Sequence, residues 1–172
     1  RKEYPAERDI RGEPPRIGVF VCHCGINIGG VVDVAQVREY VATLPNVLYV
    51  EDNLYTCSQD TQEKIKATIR QHNLNRVVVA SCTPRTHEPL FQETLREAGL
   101  NRYLFEMVNI RDQCSWVHKE QPAAATEKAK ELVKMAVAKA RLLQPIEQAS
   151  LGVINSGLVV GGGIAGMVAA LK

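Results

Sequence analysis

Arg16-Ile17-Gly18-Val19-Phe20-Val21-Cys22-His23-Cys24-Gly25 sets the pattern that the rest of the chain repeats. Its first six residues are mostly apolar with no polar alternation, as expected of a strand covered on both faces. The run then gives out into a loop holding two thiols and the glycines Gly25, Gly29 and Gly30. Three more cysteines, Cys57, Cys82 and Cys114, also stand where an apolar run ends. Counted from Cys24, the steps are 33, 25 and 32 residues. Each is close to the roughly 30 residues of one strand-helix-strand unit.

Between these points the sequence reads as helices and further strands. Asp33 is placed to cap a helix whose apolar face is Val34, Val37, Val41 and Leu44, and Pro45 stops it. A second strand begins at Val47. Asp60 and Glu63 suggest a capping box for a helix with Ile65 and Ile69 turned inward. The clearest strand, Val77-Val78-Val79-Ala80, delivers Ser81-Cys82-Thr83-Pro84 into a loop, where Pro84 holds Thr83 extended. A third helix is expected to start near Glu88-Pro89 and to end at Gly99. A fourth strand runs from Tyr103 to about Val108, and a long helix from Ala123 to Leu143 ends before Pro145. Strands and helices alternating with short loops predict an α/β fold, a four-stranded parallel sheet flanked by helices (βαβαβαβ) with a long C-terminal helix.

Composition bounds the functions open to such a fold. The chain has 172 residues, 45% hydrophobic and 23% charged, an ordinary globular balance. Its net charge of +2 is too small and too evenly spread for a nucleic-acid footprint. No apolar run is long enough for a membrane span and no signal peptide is evident, so a cytoplasmic protein is expected. Five cysteines are an awkward count for disulfides, and a reducing compartment would keep them as thiols or metal ligands. Residues 1–15, with Pro5, Pro14 and Pro15 and no periodicity, read as a flexible lead-in. Residues 16–120 read as the α/β domain and residues 121–145 as a connecting helix. Because the chain starts at Arg1 and stops at Lys172 within a helical run, it is expected to be a piece of a larger protein.

Right-handed crossovers put the C-terminal ends of all four strands along one edge, where open α/β sheets keep their ligands. Cysteines far apart in sequence would meet there, the condition for a shared metal centre. Four thiolates suit a tetrahedral zinc or an iron–sulfur cluster. Zinc sites usually draw ligands in close C-x₂₋₄-C pairs, which only Cys22 and Cys24 approach and with one residue too few between them. Iron–sulfur cubanes accept ligands from scattered positions. One thiol is then spare: Cys24, further out in the loop, suits ligation, and Cys22, still on the strand, suits a supernumerary or exchange role. The plain alternative is a set of small buried hydrophobes. His23, His87 and His118 are candidate hydrogen-bond donors to the sulfurs, and Arg85 and Arg111 candidates to balance negative charge there. His72 reads as solvated and Trp116 as a packing anchor.

The last motif is Gly157-Leu158-Val159-Val160-Gly161-Gly162-Gly163-Ile164-Ala165-Gly166. Gly161, Gly163 and Gly166 follow an apolar run and open an alanine-rich helix, an incomplete Rossmann-type β-turn-α start. Such a turn lets the backbone approach a pyrophosphate at a helix N-terminus. The chain ends before the acidic residue expected about 20 positions on.

Together, Cys22-His23-Cys24-Gly25-Ile26-Asn27, Cys57-Ser58, Ser81-Cys82-Thr83-Pro84-Arg85-Thr86-His87-Glu88-Pro89, Asn109-Ile110-Arg111-Asp112-Gln113-Cys114-Ser115-Trp116-Val117-His118 and the glycine triplet resemble the start of the A subunit of heterodisulfide reductase. The resemblance covers residues 16–172. It implies a [4Fe–4S] cluster with ligands drawn from Cys22, Cys24, Cys57, Cys82 and Cys114. It also implies an FAD domain of thioredoxin-reductase type, of which residues 146–172 would be the truncated start and Gly161, Gly163 and Gly166 the first turn. The family's flavin splits an electron pair supplied by hydrogenase or another input subunit. One electron goes to ferredoxin, the other through a C subunit to a B subunit that reduces a disulfide of the CoM-S-S-CoB type. A relay domain of such an oxidoreductase, inactive on its own, is therefore expected. A zinc-binding or metal-free scaffold that docks partner subunits is the alternative.

Overall fold

The computed structural model describes residues 2–172. Strands β1 (Ile17–Cys22), β2 (Val47–Asn53), β3 (Arg76–Ser81) and β4 (Phe105–Asn109) form one sheet in the order β2-β1-β3-β4. Every neighbouring pair is parallel, as the sequence predicts. All residues of the two central strands are buried, which explains their unbroken apolar runs.

Alternation along β1 separates two cores. Ile17, Val19 and Val21 face one way, onto α2 (Val34–Ala42) and α5 (Pro122–Ala140). Phe20 faces the other way, with Val77 and Val79, onto α3 (Gln59–Gln71) and α4 (Pro84–Glu97). The chain therefore winds outward in both directions from the centre: β1 leads to β2 on one side, and the chain crosses back to β3 and β4 on the other. Between the ends of β1 and β3 lies the point where the winding reverses, and loops diverge there to leave a crevice.

Several helix boundaries differ from expectation for physical reasons. Asp33 caps α2 as predicted, accepting from the Gln36 N–H at 3.0 Å. The cap of α3 is Ser58, so Asp60 lies in the first turn and makes no capping box. In α4 the start is Pro84, at the first helical position behind an extended Thr83, and Pro89 lies inside the helix. Cys82 is consequently followed almost at once by a helix and not by a loop. Gly99, at φ +83°, ends that segment as expected, and its carbonyl accepts from the Arg8 N–H.

The lead-in is not free, although residue 1 lies outside the described residues. Ile10 is 1% exposed and belongs to the core on the α3/α4 face. Arg8 donates to the Asn73 side chain and the Leu74 carbonyl, and Arg96 lies 3.9 Å from the Tyr4 ring centroid. A single well-placed aliphatic side chain anchors a segment whose composition reads as disordered. Ile10→Ala is expected to cost about 2–5 kcal/mol of stability, measured by urea unfolding; a loose lead-in would leave the midpoint unchanged.

Beyond α5 the chain runs without regular structure, held through bonds between Ile146 and Asn101, as far as α6 (Ile164–Ala170). The run Leu158-Val159-Val160, expected as a strand, has no ladder partner and is exposed, because a strand needs a neighbour to satisfy its backbone. No helix among the described residues is long and apolar enough to cross a membrane.

Candidate metal centre

The crevice between β1 and β3 is where the thiols gather. Cys22 is the last residue of β1 and is 1% exposed. Its sulfur accepts from the Cys24 N–H at 3.2 Å and the Thr56 N–H at 3.4 Å. The first closes the β1 loop on itself and the second ties it to the β2 loop. Cys24 and Gly25 both take positive φ, +47° and +55°, so the chain turns back sharply into the single turn α1 (Ile26–Gly29). Gly25, at φ +55° and ψ −124°, takes a conformation that residues with a side chain rarely adopt. Cys24, a residue with a side chain in the left-handed region, is held at a cost that functional loops characteristically bear.

Cys57 follows β2, and Cys82 follows β3 directly. Burial raises the pKa of Cys57, and the nearby sulfurs of Cys22, Cys82 and Cys24 raise it further. Burial likewise raises Cys82, with Cys24 and Cys22 adding to the effect and the Ser81 bond and Arg111 opposing it. Cys57 and Cys82 each feel the charge of Cys22 and Cys24 across the crevice, and none of the four thiols is in a disulfide.

Cys114 stands apart from them. It is fully buried in the core on the α2/α5 face, and its sulfur donates to the Ala125 carbonyl at 3.0 Å. Burial raises its pKa, opposed by the charge of Lys128, and no other cysteine contributes. The expected set of five becomes four and one.

The segment that carries Cys114 nevertheless serves the site. Asn109, the last residue of β4, accepts from the N–H groups of Arg111 and Asp112 at 3.1 and 2.9 Å. This turn starts a π-helical stretch, Arg111–Ser115, in which Ser115 N–H bonds the Ile110 carbonyl and Trp116 N–H the Arg111 carbonyl. Arg111 is directed back by its bond to Asp112 at 2.9 Å, and its Nη1 reaches the Cys24 sulfur at 3.7 Å. Burial works against the charge of Arg111, but the bonds to Asp112 and Cys24 outweigh it and its pKa is raised. Trp116, expected as a packing anchor, is 54% exposed and has the Arg111 guanidinium 4.7 Å from its ring centroid.

The other polar candidates divide. His87 Nδ1 lies 3.2 Å from the Cys82 sulfur. His23 instead bonds Asp52, which also accepts from Arg38, both at 2.8 Å. His118 pairs with Lys128, Arg85 is exposed, and the His72 ring packs 4.7 Å from that of Tyr49. The roles of Asp52 and of Asn109, the first residue of a motif quoted above, are not evident from the sequence. Their signal was that each is a polar residue at the end of a strand whose end faces the same rim.

Does this donor set suit a metal? A tetrahedral zinc with Zn–S bonds of about 2.3 Å needs sulfurs about 3.8 Å apart. No three His, Cys, Asp or Glu side chains among the described residues are grouped closely enough to hold a single ion. An iron–sulfur cluster bonds each thiolate to its own iron and so accepts a wider spread. A positively charged centre displaces the protons of thiols gathered in one crevice. The four crevice cysteines therefore fit a cluster better than one zinc.

Gly163 caps the seven-residue α6, and the Gly161 carbonyl occupies the space a Cβ on Gly166 would need. That close approach is the one the third glycine of such a turn permits.

No protein-family model matches the chain. It is 58% identical over 159 residues, 92% of its length, to the A subunit of the H2:CoB-CoM heterodisulfide,ferredoxin reductase of Methanothermobacter thermautotrophicus, and this match covers 24% of that protein. An iron-sulfur A subunit of the CoB–CoM heterodisulfide reductase of Methanopyrus kandleri, the second of two in that organism, shows the same identity and coverage, 58%, 92% and 24%. The A subunit of the ferredoxin:CoB-CoM heterodisulfide reductase of Methanosarcina mazei is 47% identical over 91% of the chain and 20% of that protein. The chain spans about a quarter of the length of the first of these relatives.

Proposed function

From a chain that is a relative of heterodisulfide reductase A subunits, we propose an iron–sulfur electron-relay domain of an oxidoreductase of that kind. The observation that supports it most is the meeting of Cys22, Cys24, Cys57 and Cys82 at the point where the sheet's winding reverses. When bound, a [4Fe–4S] cluster takes up and returns one electron at a time.

The chain's own residues would do the rest. The four thiolates hold the centre from three separate loops, so that each strand end fixes one part of its position. Backbone N–H groups of Cys24 and Thr56 on the Cys22 sulfur stabilise negative charge there. Arg111, locked by Asp112, sets a permanent positive charge beside Cys24. His87 offers a ring nitrogen to Cys82. Ile26, Tyr55 and Trp116 leave apolar surface exposed at the mouth of the crevice, suited to contact with a second redox module.

In the whole protein the glycine turn at Gly161, Gly163 and Gly166 would open an FAD site. The flavin would divide electron pairs from a hydrogenase or other input subunit between ferredoxin and, through B and C subunits, a CoM-S-S-CoB type disulfide. Chemical analysis of the 172-residue chain purified without oxygen tests the relay reading. Iron and acid-labile sulfide in equal amounts are expected, with a reducible paramagnetic signal, no flavin and no heterodisulfide reductase activity. A colourless chain loaded with zinc, or free of metal, would instead support the scaffold alternative.

A further inference from the structure

Thr56 lies between the two loops that build the crevice and is 0% exposed. Its N–H donates to the Cys22 sulfur at 3.4 Å, its carbonyl accepts from the Gln62 side chain at 2.6 Å, and its chain neighbour is Cys57. Both backbone groups are thus fixed. The hydroxyl alone is buried with no partner among the described residues.

A buried hydroxyl without a partner is rare and calls for an acceptor at that spot. The backbone bonds to Cys22 and Gln62 pin the residue, and its side chain has no exposed surface through which to reach water. The residue's own N–H reaches the Cys22 sulfur and its chain neighbour is Cys57, and a sulfur that gains negative charge is the kind of acceptor a lone O–H would serve. Serine or threonine is the smallest side chain that supplies such a donor from a position this enclosed.

We propose, resting on the relay reading above, that Thr56 is a positioning residue whose hydroxyl donates a hydrogen bond to a sulfur of the bound cluster and thereby raises its reduction potential. The reduced cluster carries one more negative charge than the oxidised one, so the hydrogen bond strengthens on reduction and favours the reduced state. Thr56 acts on the centre and is not one of its ligands.

The test compares wild type, Thr56→Val and Thr56→Ser, with iron and sulfide content measured first and the midpoint potential then followed by spectroscopic redox titration. Valine keeps the shape and removes the donor; serine keeps the donor. Thr56→Val is expected to hold as much iron as wild type and to titrate at a more negative potential. The shift should be about tenfold in the one-electron equilibrium, or about 59 mV, with Thr56→Ser returning to the wild-type value. Loss of iron from the valine variant but not from the serine variant would show the same contact in a stronger form. Equal potentials for wild type and valine, or equal shifts in valine and serine, would overturn the assignment. Absence of a cluster from wild type would instead remove the relay reading itself, so the two failures are distinguishable.

Discussion

Cys57→Ala and Cys82→Ala each empty the crevice of iron, and Cys22→Ala and Cys24→Ala do the same, while Cys114→Ala keeps a full complement. That is the expected result for a centre held by the four thiols at the ends of β1, β2 and β3. Removing any one leaves an iron without its thiolate in a buried site, where little else can replace it. Cys114 donates to the Ala125 carbonyl inside the core on the α2/α5 face, against which Cys24 also packs, so its loss is felt as packing, at about 1 kcal/mol. Iron and sulfide per chain after anaerobic purification measure the first effect, and urea unfolding the second. Iron loss in Cys114→Ala as complete as in Cys57→Ala would mean that the π-helical segment rearranges to bring that thiol in.

Phe20→Ala should destabilise the domain by about 3–5 kcal/mol, a large share of the 5–15 kcal/mol typical of a whole fold. The ring is 0% exposed on a central strand, paired in register with Val79 and 5.9 Å from the Tyr49 ring. It points to the same face as Cys22, two residues on, and it packs in one core with Ile65, Ile69 and Cys82. Truncation opens a cavity under the crevice, so iron retention should fall along with stability. A urea midpoint within error of wild type would show that α3 and α4 collapse to fill the space.

The sheet and its direction were legible because Val19-Phe20-Val21 and Val77-Val78-Val79 are too apolar for strands with one wet face, and because helical periodicity fills each interval between them. That Cys22, Cys57 and Cys82 stand at the same edge of the sheet followed from parallel strands alone. What sequence could not supply was the side of the sheet each thiol would choose. For Cys22 the parity with Phe20 gives the answer, since both belong to β1. For Cys114 counting fails: it stands five residues beyond β4, past an Asn109 turn and within a π-helical stretch. Ile10 escaped notice for a related reason, as one buried residue in a proline-interrupted segment has no period to announce it. The early start of α4 was written in Thr83-Pro84, an extended residue before a first-turn proline, but Pro89 offered the same cue five positions later.

The widened turn at Arg111–Ser115 behaves like one extra tooth on a gear. Each residue of an ordinary helix advances the side chains by about 100°, so deleting Gln113 would tighten the turn and rotate everything beyond it relative to Arg111. The cation beside Cys24 and the thiol beneath α5 are thereby geared to one another: their present directions are compatible only with the additional residue in place.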